Sequence, residues 1–293
     1  MNNNIFHLPD SRHLSYCLYG PGDGQPVLYF HGTPSSRLEP SLLTGYDINI
    51  DELLFKYRLQ LIAIDRPGMG LSTFNPAGDF KSFAKDVNLL LQDLNIKQCK
   101  VLCWSGGGPF ALAIANEYIE TIQAVYIITG VTQSLSTGKV FNKMHGNKLY
   151  FGAAKYVPGL LRLIMQWAAG KKPTKPIPQI ISKLSDADHN LMKDVEKLKQ
   201  VAAATLQEAC RQGSSGAVYE ARLYFKDYGF DLKNISQQVH FWWGSEDNVV
   251  IRLNAEAVEQ EVPNRVMHYK QNEGHLSIYI NCIEEVLQTI AET

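Results

Sequence analysis

Cys103-Trp104-Ser105-Gly106-Gly107 lies between an apolar run and a helical pattern, and its reading decides the fold. A serine on so tight a strand-to-helix turn projects its hydroxyl above a sheet, and its neighbours must be small. Gly106 and Gly107 meet that demand on one side, while Cys103 stands where glycine is commoner and is small enough for a close crossing. A plain glycine-rich turn and a phosphate loop are the competing readings. The phosphate loop lacks its Lys-Ser/Thr pair, because Gly108 is followed by Pro109-Phe110.

Outward from this turn, short apolar runs occupy residues 27–30, 59–64, 101–104, 124–128, 239–243 and 265–269. Most are continuously apolar rather than alternating, as strands buried on both faces are. Residues 5–8 and 12–19 form a candidate antiparallel hairpin through Pro9-Asp10, and the glycines of 20–24 then break the chain. Phe80, Phe83, Ala84, Val87, Leu90, Leu91 and Leu94 recur at helical spacing behind Asp79, a suitable N-cap. Pro109 suits a first helical turn, and Ile278, Cys282, Ile283, Val286 and Ile290 make a last helical stripe. Strands alternating with helices predict an α/β fold with a mostly parallel sheet flanked by helices.

The alternation stops between residues 131 and 235. That stretch reads as helices over 139–156, 159–169, 185–199, 201–212 and 217–226. Ser185 and Asp188 resemble a capping box, and 171–178, with three prolines, reads as an irregular connector. Because the strand pattern resumes afterwards, the segment is read as a helical cap inserted into one core of residues 1–130 and 236–293. An independent second domain is the weaker alternative.

The 293 residues are 45% hydrophobic and 19% charged, ordinary globular usage. Lys+Arg number 28 and Asp+Glu 29, a net charge of -1, which leaves no excess to neutralise phosphates and speaks against a nucleic-acid partner. No apolar run approaches the roughly 20 residues of a membrane span. The start, Met-Asn-Asn-Asn-Ile-Phe, lacks the positive flank and apolar stretch of a signal peptide. The five cysteines are odd in number and none is paired as C-x-x-C, so a reducing, cytoplasmic setting is expected and a disulfide framework or metal site is not. The oligomeric state is left open.

Serine is a weak nucleophile and needs a base. Among eight histidines, His275 lies in Asn272-Glu273-Gly274-His275-Leu276, read as a loop between the last strand and the last helix. That is the carboxyl edge of the sheet, where α/β proteins build their sites. His240 and His268 fall inside strand runs and read as structural. The base needs an acid to set its tautomer and stabilise the imidazolium. Trp243-Gly244-Ser245-Glu246-Asp247 follows the preceding strand and offers Asp247, with Glu246 as the alternative. An acyl-transfer serine also needs donors for the developing oxyanion. The N–H of Gly106 is one. Thr33 supplies the second from His31-Gly32-Thr33-Pro34-Ser35-Ser36-Arg37, where Gly32 permits close approach.

These segments together resemble the α/β-hydrolase superfamily, in its serine-nucleophile branch with a helical cap. His31-Gly32-Thr33-Pro34 is similar to that family's oxyanion loop. Asp65-Arg66-Pro67-Gly68-Met69-Gly70-Leu71-Ser72 resembles its D-R-P-G-x-G-x-S turn, read here as a structural buttress. Trp104-Ser105-Gly106-Gly107-Gly108-Pro109 resembles its elbow, and Gly244-x-x-Asp247 and Gly274-His275 its acid and base loops. The order nucleophile, acid, base is the one associated with that architecture. The resemblance implies esterases, lipases, aminopeptidases such as proline iminopeptidase, and C–C bond hydrolases. Ser105 argues against the dehalogenases and epoxide hydrolases, which place aspartate there.

The expected function is hydrolysis of a small to medium, largely apolar ester or related acyl compound, a small-molecule substrate, with no cofactor and no metal. The alternative is a ligand-binding or signalling protein with vestigial hydrolysis. An aminopeptidase needs carboxylates in the cap for a free amine, and Glu208, Glu220 and Asp227 are available. Tyr150, Phe151, Tyr156, Leu160, Leu163, Ile164, Met165 and Trp167 either pack the cap onto the core or line an acyl pocket.

Overall fold

The computed structural model of the chain describes residues 3–172, 174–175 and 184–293. Among the described residues eight strands form one sheet: β1 Asn4–His7, β2 His13–Tyr19, β3 Gln25–Phe30, β4 Leu59–Ile64, β5 Cys99–Trp104, β6 Ile122–Ile128, β7 Gln238–Gly244 and β8 Arg265–Lys270. Their order is β1-β2-β4-β3-β5-β6-β7-β8. β1 and β2 form the expected antiparallel hairpin, β2 pairs antiparallel with β4, and every later pairing is parallel. This is the mostly parallel α/β sheet that the apolar runs predict.

The continuous runs have a simple cause. Side chains alternate across the sheet, and both faces are covered. Leu28, Phe30, Val101, Cys103, Ile127 and Phe241 join one buried cluster with Phe83, Val87 and Phe110. Val27, Tyr29, Leu102, Trp104, Ile128 and Trp242 join the other with Leu54, Ile283 and Val286. The covering helices are α1 Ile50–Tyr57, α2 Phe80–Asp93, α3 Gly108–Glu117, α10 Leu253–Glu261 and α11 His275–Glu292. Asp79 caps α2 as expected, its carboxylate accepting the Ser82 N–H at 2.8 Å. The helices α1 and α10 have no counterpart in the sequence reading: α1 is only eight residues long, although Ile50, Leu53, Leu54 and Tyr57 stand at helical spacing, and α10 offers few apolar residues at that spacing.

Between β6 and β7 the described residues are helical: α4 Lys139–Lys143, α5 Lys148–Tyr156, α6 Pro158–Ala169, α7 Asp186–Leu191, α8 Val195–Ala202 and α9 Ser215–Leu223. Two expected helices are broken, one by a tertiary contact and one by a local cap. The helix expected over 139–156 is interrupted where Gly146 docks on the loop after β7, its N–H donating to the Asn248 carbonyl at 3.0 Å. The helix expected over 185–199 is split by Asp194, whose side chain caps α8 through Glu196 and Lys197 N–H. α8 then runs on through a π turn, Ala203–Gln207, rather than ending at 199. The three prolines of the expected connector lie outside the described residues. Among the described residues no helix is long and apolar enough to cross a membrane.

Candidate active site

Ser105 follows β5 directly and has φ of 53°, the left-handed region that a non-glycine residue rarely occupies. The turn works because its neighbours lack side chains. A Cβ on Gly107 would come within 2.2 Å of the Phe30 carbonyl and 2.9 Å of Cys103 Cβ, and one on Gly108 within 2.2 Å of the Val131 carbonyl. Cys103 is therefore accommodated on the strand side by the bareness of Gly107.

The structure brings Ser105, His275 and Asp247 together. His275 Nε2 lies 2.8 Å from Ser105 Oγ, and His275 Nδ1 lies 2.8 Å from Asp247 Oδ2. All three are buried. Asp247 Oδ1 accepts N–H groups from Val249 at 2.7 Å and Val250 at 2.8 Å, and Oδ2 also accepts the Thr129 hydroxyl. The carboxylate in contact with the imidazole is Asp247, not the adjacent Glu246. Burial alone would lower the His275 pKa, but the negative charges of Asp247, Asp188 and Glu39 outweigh it, and the net shift is upward.

His275 is the first residue of α11 rather than part of a loop. Two groups supply the cap that the expected stripe, beginning at Ile278, does not reveal. Ser277 Oγ accepts the Gly274 N–H at 2.7 Å. Asp188, from α7, accepts the His275 N–H at 2.7 Å and those of Leu276 and Ser277 at 2.9 Å. Ser185 caps α7 as anticipated, its Oγ accepting the Asp188 N–H at 3.2 Å. The Asp188 carboxylate turns instead to the other helix. Gly274 has to be glycine here, because a Cβ would meet Ser185 Oγ at 2.1 Å. Trp104 stacks on the imidazole, with centroids 5.3 Å apart, and its Nε1–H donates to the His275 carbonyl at 3.2 Å.

The loop after β3 packs directly over the turn. A Cβ built on Gly106 would fall 2.6 Å from Thr33 Cγ2, and one on Gly32 would fall 3.4 Å from Ser105 Cβ. Thr33 and Gly106 thus sit side by side next to the serine. Their neighbours hold them. Both Glu39 carboxylate oxygens accept the Gly32 N–H at 2.9 Å, and Oε1 accepts the Tyr29 hydroxyl at 2.7 Å. Burial pushes the Glu39 carboxyl up to about 7. Arg66 donates to the carbonyls of His31 and Gly32 and pairs with Glu220 of α9. The Tyr224 hydroxyl donates to the Gly106 carbonyl at 2.6 Å. His31 is fully buried, and burial beside Arg66 pushes its pKa well down. Its Nδ1 lies 2.8 Å from the Gly32 carbonyl oxygen.

The eight apolar residues singled out between 150 and 167 divide. Phe151 and Met165 are buried in the core, Tyr150 is half-buried with its hydroxyl donating to the Ala217 carbonyl at 3.2 Å, and Tyr156, Leu160, Leu163, Ile164 and Trp167 are exposed. The exposed five face solvent rather than lining an enclosed acyl pocket. Glu208, Glu220 and Asp227 do not converge either. Glu208 pairs with Arg37, Glu220 with Arg66, and Asp227 accepts the Gly229 N–H.

The chain belongs to the alpha/beta hydrolase fold family, which matches residues 25–281. A protein of Mycoplasma genitalium named "Putative proline iminopeptidase" is 22% identical over 286 residues, 91% of this chain and 89% of that protein. The esterase RhEst1 from Rhodococcus sp. ECU1013 superposes with a TM-score of 0.70 at 17% identity, covering 100% of this chain and 99% of its own. A bromoperoxidase from Bacillus anthracis gives a TM-score of 0.70 at 16% identity, with both chains covered in full. These structural likenesses establish the fold.

Proposed function

We propose that the protein is a serine hydrolase acting on a small to medium, largely apolar ester or related acyl substrate. The observation that carries this reading is the continuous hydrogen-bonded chain from Ser105 Oγ through His275 to Asp247, with both links at 2.8 Å. In this reading Ser105 attacks the acyl carbonyl while His275 takes its proton. Asp247 holds the imidazole with Nδ1 as donor and stabilises the cation that forms. The N–H groups of Thr33 and Gly106 receive the oxyanion. His275 then protonates the leaving group and activates the water that releases the acyl group. These steps use side chains and backbone of this chain together with one water.

Family membership supports hydrolase chemistry, and residues 131–235 act as a cap over the serine. The name borne by the Mycoplasma relative raises an aminopeptidase as the alternative. The engagement of Glu208 and Glu220 with buried arginines speaks against their holding a substrate amine. The five cysteines are buried, and their odd number without a C-x-x-C pair supports a reducing, cytoplasmic setting. A panel of short-chain esters, amides and lactones, assayed with wild type and Ser105→Ala, tests the reading. Wild type is expected to turn over esters, and the variant to lose that turnover while keeping its fold. Wild type inert on the whole panel would favour a ligand-binding role.

A further inference from the structure

We propose that the outer face of α6 is a docking surface for an anionic phospholipid bilayer. α6 buries Leu161 and Met165 and leaves Leu160, Leu163, Ile164 and Trp167 between 50% and 71% exposed. These four recur at i, i+3, i+4 and i+7, so they form a single stripe along one side of the helix. Tyr156 and Val157, also exposed, extend it towards α5. A contiguous apolar surface of this kind on a globular domain marks a contact site, whereas isolated exposed leucines do not.

The charge around the stripe names the partner. From residue 121 to residue 172 the chain holds seven lysines and arginines and no aspartate or glutamate, although its net charge is -1. Lys155, Arg162, Lys171 and Lys172 are exposed on or beside α6, and Lys171 Nζ stands 5.4 Å over the Trp167 ring. The neighbouring segment at 212–215 is Gln-Gly-Ser-Ser and adds no negative charge. Lys172 shares a surface groove with Glu196 and Lys199, while the helix and the chain before it carry cations alone; a tryptophan-bearing apolar stripe with that cationic complement is the composition of a helix that lies in a membrane interface. At twelve residues α6 is too short to span a bilayer, so it would lie in the plane of the surface, apolar face down, with lysines among the headgroups. A second copy fits less well, because a two-fold contact through α6 would set the same basic rim against itself.

This inference does not depend on the hydrolase reading. Its test is flotation of the full chain with vesicles of phosphatidylcholine alone or with roughly one-third phosphatidylglycerol, at low and high salt. Tryptophan emission and the sedimentation state are followed in parallel. Wild type is expected to float with the mixed vesicles at low salt with blue-shifted emission, and roughly tenfold less with neutral vesicles or in high salt. Leu163→Glu with Trp167→Glu, and separately Lys171→Glu with Lys172→Glu, are expected to abolish flotation while circular dichroism and melting stay unchanged. Leu163→Ser with Trp167→Ser is the milder control. The proposal is overturned by wild type that does not float with mixed vesicles at low salt, or by flotation that all variants retain. A wild-type dimer that the Leu163 and Trp167 changes dissociate, in protein that ignores vesicles, would assign the stripe to self-association instead.

Discussion

Asp188 Oδ2 accepts the backbone N–H of His275 at 2.7 Å, across 87 residues of sequence. With Leu276 and Ser277 also bound by Oδ1, a buried carboxylate from the segment between β6 and β7 caps the helix whose first residue is the proposed base. Negative charge at a helix N-terminus is favourable, and here it also raises the His275 pKa. Asp188 is thus a positioning residue that ties the seating of α7 to the imidazole. Asp188→Asn removes the charge and should lower kcat/KM for a soluble ester about tenfold, the scale of a buried helix-terminus charge. It should also move the acidic limb of the pH profile downward. An unmoved limb with only a lower melting temperature would reduce Asp188 to scaffold.

In the wild type that limb should lie above the ordinary histidine value. The proposed base works neutral, and its pKa in the fold is raised above 6.5. Activity should therefore begin to fall, on acidification, at a pH higher than that of a free imidazole. The same shift has a stability consequence with the opposite sense. Protonated His275 stabilises the fold below the unfolded pKa, and that contribution is lost as pH rises through the folded value. Initial rates and melting temperatures across pH 5–9 would show both.

The two adjacent acids should behave differently. Asp247→Asn keeps the shape but removes the charge on His275, and a loss in kcat on the order of 10⁴ is expected from the equivalent loss in serine proteases. Glu246→Gln should leave kcat within about twofold, as a change remote from the imidazole. A larger effect at Glu246 than at Asp247 would reassign the acid.

Gly106→Ala should fail for a steric reason. Its new Cβ would lie 2.6 Å from both Thr33 Cγ2 and the Tyr224 hydroxyl, and 2.8 Å from Thr33 Cβ. The loop after β3 would have to back away from the turn, misplacing the Thr33 N–H. Loss of one oxyanion donor costs roughly 10²–10³ in kcat, and a drop of that order is expected with KM little changed. Steady-state kinetics on a soluble ester measures the split.

Glu220→Gln should destabilise the fold. Arg66 is fully buried and pairs with Glu220 through two hydrogen bonds. Leaving one buried charge uncompensated costs about 3–5 kcal/mol. Denaturant unfolding should show the loss, and the ratio of ester to amino-acid arylamide hydrolysis should not change. A stable variant with altered amine selectivity would restore the aminopeptidase alternative.

What the sequence revealed divides by the distance over which each signal acts. Ser105 was legible because the elbow is local chemistry, small residues around a strained serine. His275 and Asp247 were legible because each closely follows a strand whose place in the chain an apolar run marks. Glu39, Thr129 and Asp188 were not, since each meets its partners only after folding and no neighbouring pattern marks it. The His275 loop became a helix start for the same reason, its cap arriving from α7. The break at Gly146 likewise comes from a contact with residue 248 that no helical period encodes. The exposed face of α6 was visible as apolar residues, but only the fold shows which of them turn outward.

The central claim is that Ser105 is the nucleophile, and covalent trapping tests it most directly. Intact-mass analysis and peptide mapping after exposure to a fluorophosphonate should show one adduct per chain, on Ser105, with hydrolysis lost in proportion and no adduct on folded Ser105→Ala. A folded wild type that hydrolyses esters yet remains unlabelled, or a Ser105→Ala variant hydrolysing at the wild-type rate, would contradict the account.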